Sequence, residues 1–151
     1  MRAPSALLSL ALLAPAPIMA AQVTGDPEII SKIMREQGMK VVVGRDVEGL
    51  PMLESEVDET LFNVYFYECA PSCRRMQFVT SFSLDQPMTA EDANQWNRDN
   101  PVGKIFVADS GDPFLEMDIG LAADGLGREN FEDALATWRS VLGEFRASIT
   151  D

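Results

Sequence analysis

Oxygen donors gather late in the chain, where "ADSGDPFLEMDIG" carries Asp109, Asp112, Glu116 and Asp118. Carboxylates of this kind suit a hard cation such as calcium. The run lacks the twelve-residue spacing of an EF-hand, so it reads first as an Asp-rich hairpin turn followed by a solvated strand face, with the four acids as weak metal candidates. Two cysteines, Cys69 and Cys73, lie in "NVYFYECAPSCRRMQF" between two strand-like runs. Their Cys-x-x-x-Cys spacing differs from the redox dithiol Cys-x-x-Cys, and no βαβ pattern surrounds it. A disulfide stapling the end of a hairpin is expected instead, because a hairpin brings its strand ends within reach of one S–S bond. The chain has no histidine, and so lacks the commonest proton shuttle, triad base and zinc ligand. Carboxylate and tyrosine chemistry remain open. No motif implies a cofactor.

Other residues with recognition chemistry are few. Trp96 and Trp138 fall on helical patterns and are expected in the core. The basic pair Arg74 and Arg75 is expected to meet surface carboxylates, at little energetic consequence. Tyr65 and Tyr67 alternate with Phe66 and therefore point to the opposite sheet face, which periodicity leaves either exposed or under a helix.

These residues need elements to hold them. "GDPEIISKIMREQG" has Asp26 to cap a helix, Pro27 at its first position and Gly38 as its stop, with Ile29, Ile30, Ile33 and Met34 forming an apolar stripe. "MKVVVG" and "LPMLESEV" read as strands around "RDVEG". Phe62, Val64 and Phe66 alternate with Asn63, Tyr65 and Tyr67, and Met76, Phe78, Thr80, Phe82 and Leu84 alternate with Gln77, Val79, Ser81 and Ser83. The pair thus reads as an antiparallel hairpin. "MTAEDANQWNRDN" is a short helix capped by Thr89, and "KIFVA" and "FLEMDIG" are two further strands. Phe131, Leu135, Trp138, Leu142, Phe145 and Ile149 step by four and three along a final helix, a stripe suited to covering a sheet. The order α-β-β-β-β-α-β-β-α predicts an α+β fold, a largely antiparallel twisted sheet of about six strands with helices on one face.

The chain opens "MRAPSALLSLALLAPAPIMAAQ", with Arg2, a short apolar run and small residues at Ala20 and Ala21. This is the pattern of a secretory leader over residues 1–21, leaving 22–151 as one domain directed to the periplasm or the exterior. The apolar run falls short of the roughly 20 residues a bilayer span needs, so no membrane insertion is expected after cleavage. Without Arg2 the remainder carries 11 basic and 24 acidic residues, a net charge of −13. Such a surface disfavours nucleic acid and anionic lipid as partners.

The runs "NVYFYEC", Cys73 to Phe78 as C-x-x-x-Q-F, "NQWNRDNPVGKIFV" and "DPFLEMDIGL" resemble the YbjN domain family of bacterial sensory transduction regulators. The resemblance extends from Asp26 to about Ile149, and is most specific at Trp96, Asn97 and Arg98 and along Asp112 to Asp118. It implies a fold similar to type III secretion chaperones, which dimerise and bind extended partner segments. On that basis Tyr65, Tyr67, Trp96, Asn97 and Arg98 are expected at a partner surface. The function expected is a non-catalytic exported module that binds a protein or peptide and forms a possible homodimer. The alternative is a small-ligand or calcium-binding protein, or, less favoured, a carboxylate-dependent enzyme.

Overall fold

The computed structural model describes residues 22–150; the leader expected at 1–21 lies outside them. The chain runs β1 (Gln22–Val23), α1 (Pro27–Glu36), β2 (Val41–Arg45), β3 (Pro51–Val57), β4 (Thr60–Tyr67), β5 (Arg75–Ser81), α2 (Ala90–Asp99), β6 (Lys104–Val107), β7 (Pro113–Gly120), β8 (Leu126–Gly127) and α3 (Arg128–Thr150). Six strands form one antiparallel sheet in the order β2-β3-β4-β5-β7-β6, as an α+β fold. The two-residue strands β1 and β8 pair apart from it. They are too short to leave a periodic signal, and were not expected.

Alternation divides the sheet into two unlike faces. Leu53, Val64, Phe78 and Met117 follow one another across four strands and are all buried. The neighbouring row, Met52, Tyr65, Gln77 and Asp118, lies on the opposite face, which no helix covers among the described residues. Helix α3 covers the buried face. Its Trp138 stacks on Phe78 with ring centroids 5.4 Å apart and meets Phe62 edge-on at 5.6 Å, the offset and T-shaped geometries that aromatic quadrupoles favour. Phe131, Leu135, Trp138, Leu142 and Phe145 are buried, as their spacing predicts, and Ile149 is half-buried.

Helix α1 starts where expected, with Asp26 Oδ1 accepting from the Glu28 N–H at 2.9 Å and Pro27 at the first position. Its buried residues are Ile30, Ser31, Ile33 and Met34, while Ile29 faces solvent. Three of the four stripe residues are therefore buried as expected, and Ser31 takes the place of Ile29 on the covered face. Ser31 tolerates burial because its hydroxyl donates to the Glu28 carbonyl at 3.0 Å.

Cys69 and Cys73 form a disulfide in the β4–β5 connection. The N-terminal segment is locked to it, since Cys73 N–H donates to Gly25 O at 3.0 Å. A Cβ at Gly25 would fall 1.7 Å from the Cys73 carbonyl oxygen. Only glycine permits that approach.

Candidate functional site

The sheet is closed at one edge by a side chain. Asn97 on α2 donates through Nδ2 to the Ile105 carbonyl at 3.0 Å and accepts from the Ile105 N–H through Oδ1 at 2.8 Å. The carboxamide thus takes the place of a neighbouring strand on β6 and holds α2 along it. Lys104 adds to this join, donating to the carbonyls of Asn97 and Asn100 at 3.0 and 2.6 Å. Helix α2 keeps its start through a capping box between Thr89 and Asp92, and those bonds hold the Asp92 carboxyl below its ordinary range. Trp96, one residue before Asn97, turns instead toward α3 and meets Phe145 edge-on at 5.0 Å.

Fixing α2 at the edge leaves space between it, the sheet end and the last turns of α3. An open groove of about 1200 Å³ occupies it, lined by residues 59–61, the β5–α2 connection, one side of α2 and the end of α3. Its apolar lining includes Leu61, Phe82, Leu84, Met88, Trp96 and Ile149. Phe82 and Leu84 continue the alternation of β5 beyond its end at Ser81. Apolar spacing that outruns its strand was the sequence signal for this wall; reading Phe82 and Leu84 as strand residues concealed it.

The Asp-rich turn builds that wall. Asp112 Oδ1 accepts from the Leu84 N–H at 3.3 Å and Oδ2 accepts from the Ser110 hydroxyl at 2.9 Å. The Phe82 and Met88 N–H groups donate to the carbonyls of Pro113 and Gly111 at 3.1 and 3.0 Å. Gly111, at φ +89°, lets Pro87 pass so close that a Cβ would lie 2.3 Å from its side chain. Of the acids read as weak metal candidates, Asp109 is exposed at this turn, Asp112 is engaged as described, and Glu116 and Asp118 stand on the open sheet face. Among the described residues, no group of three or more acidic or cysteine side chains comes together to hold a metal ion.

The residues expected at a partner surface do not share one. Tyr65 and Tyr67 stand on the open sheet face, Trp96 lines the groove, Asn97 is engaged with β6, and exposed Arg98 pairs with Glu91 at 3.1 Å. On the open face Asn63 Nδ2 donates to the Tyr65 hydroxyl at 3.2 Å, and the Tyr67 hydroxyl donates to Gln77 Oε1 at 3.2 Å. Partial burial, and then the neighbouring Asp118, raises the Glu116 carboxyl above its ordinary value. Burial, and then the nearby carboxylates, raise Tyr67 likewise. Phe106 and Phe114 stack on this face at 4.8 Å. Of the basic pair, Arg75 meets Glu68 at 3.4 Å as expected, and Arg74 has no ion pair among the described residues.

These features define an α+β module with one open sheet face and an apolar groove at its end. The sequence model of the YbjN family, described as "Putative bacterial sensory transduction regulator", matches residues 26–151, and the chain belongs to that family. Neither a curated protein nor a solved structure matched the chain.

Proposed function

We propose that the protein is an exported, non-catalytic regulatory module that binds a protein or peptide partner, in the manner of a chaperone, with the groove beside α2 as the binding site. The observation that carries this reading is the groove itself. Its volume of about 1200 Å³ lies above the roughly 300–1,000 Å³ of small-molecule pockets, and it is open to solvent. Family membership agrees with a regulatory role. The leader-like first 21 residues and the disulfide agree with export to an oxidising compartment, the periplasm or beyond. The cation alternative is less well supported, because Asp112 is engaged in the groove wall and Glu116 and Asp118 lie on another surface. A second copy of the chain is assigned to the open face bearing Tyr65, Tyr67 and the exposed Phe106. Light scattering that finds only monomer at micromolar concentration would remove the dimer from this reading.

A photo-crosslinker placed at Gln95 in the groove and, separately, at Asp133 on the exposed side of α3 tests the binding site in cells. A defined protein adduct from Gln95 and none from Asp133 is expected. Adducts equally frequent from both positions, or from neither, would contradict the assignment.

A further inference from the structure

The groove's charge and its surroundings restrict what fits it. Its rim carries Glu59, Asp85, Asp92 and Asp99, against one cation among the lining residues, Arg146. Arg146, whose Nη1 is held by the Asp58 carbonyl and lies 3.3 Å from Thr60 Oγ1, offsets one of these four charges, and the lining stays net negative. The whole chain is acidic as well, with net charge −12. An apolar floor with a negative rim complements an apolar ligand flanked by positive charge.

The backbone around the groove adds a second restriction. β4 and β5 pair with each other only as far as Asn63 and Val79, short of Thr60, Leu61 and Ser81 in the groove. The Leu61 carbonyl there nevertheless accepts from the Thr80 hydroxyl at 2.7 Å, the Phe82, Leu84 and Met88 N–H groups are already bonded, and the outer edge of β6 is occupied at Ile105 by Asn97. An extended peptide would find little free main chain to pair with along this wall. A helix brings its own main-chain hydrogen bonds and needs only apolar anchors on one face. Resting on the partner-binding reading above, we propose that the groove's occupant is an amphipathic helix of a partner protein, with apolar residues at i, i+3, i+4 and i+7 and Lys or Arg along their flanks.

Two synthetic helices test this, each of about 18 residues, or five turns. They share one Leu-bearing face, and their polar positions are all Lys in one and all Glu in the other. Titrated into the purified protein with Trp96 emission and calorimetry as readouts, the Lys helix is expected to bind at least about tenfold more tightly, and to weaken as salt is raised. The double variant Asp85→Lys, Asp99→Lys, whose two sites are exposed, should lose that preference while keeping its circular dichroism. Equal binding of the two helices, no binding of either, or a preference unchanged by the double variant would overturn the proposal. The failure is separable from that of the binding function: a Gln95 crosslink to a partner that persists in the double variant leaves the function standing and removes the basic helix.

Discussion

Asn97 supplies both of the hydrogen bonds that the Ile105 main chain would otherwise make to another strand. One side chain thereby ends the sheet at β6 and fixes the helix that forms a wall of the groove. Edge strands left open invite pairing with other chains, so this contact also protects the fold.

Asn97→Ala leaves the Ile105 N–H and carbonyl without that partner. Unfolding free energy should fall by about 1–3 kcal/mol, and the Ile105 amide should exchange faster with solvent. A stability unchanged within error in denaturant titration would show that water replaces the carboxamide at no cost.

The disulfide and Gly25 stabilise the same corner. Closing the loop between Cys69 and Cys73 restricts the unfolded chain by about 2 kcal/mol on the entropic account, so Cys69→Ser with Cys73→Ser should cost about that amount in denaturant titration. Free-thiol titration of the wild-type protein before reduction should find no reactive thiol. Gly25→Ala should be at least as damaging, because its methyl group meets the Cys73 backbone rather than a yielding side chain.

Asp112→Ala removes the acceptor of the Leu84 N–H and of Ser110. A loss of about 1–2 kcal/mol is expected, with faster amide exchange across residues 82–88. Calcium should produce no thermal shift in the wild type. A shift that Asp112→Ala abolishes would instead restore the cation reading.

The raised Glu116 carboxyl sets a pH dependence of definite sign. Its folded-state pKa lies above the ordinary 4.5, so the folded protein holds this proton more tightly than the unfolded chain. The group's contribution to stability then falls as pH rises from the ordinary value through the raised one. Glu116→Gln should melt higher than wild type at pH 7, and the difference should close below about pH 4, where both states of the wild type are protonated. A variant that melts lower at pH 7 would mean that the carboxylate is held by a favourable contact.

Along α3, and along β4 and β5 as far as Ser81, the reading of the repeating pattern and the fold agree. The stripe of α3 and the alternation through β4 and β5 each place buried residues by local geometry alone, and Tyr65 and Tyr67 fall on the face opposite Phe66 as that geometry requires. Single residues whose partners are distant in the chain were not legible. Asp112 bonds to Leu84, 28 positions away, and the groove combines four segments that no local pattern connects. Asn97 lay within a motif that resemblance singled out, yet its bond to β6 depends on a chain reversal after α2 that composition does not encode. The ribbon of β1 and β8 was hidden for the same reason, joining residues more than a hundred positions apart.

The binding claim is tested most directly by partner capture with three single-residue variants compared with wild type. Leu61→Lys and Met88→Glu alter the lip and floor of the groove, whereas Val42→Lys changes an exposed residue of β2, at the far edge of the sheet. Each is first checked for an unchanged melting temperature, and the amount of the wild-type partner retained is then measured by mass spectrometry. Retention should be lost with Leu61→Lys and Met88→Glu and kept with Val42→Lys. A partner kept by both groove variants, or lost only with Val42→Lys, would place the binding surface elsewhere on the molecule.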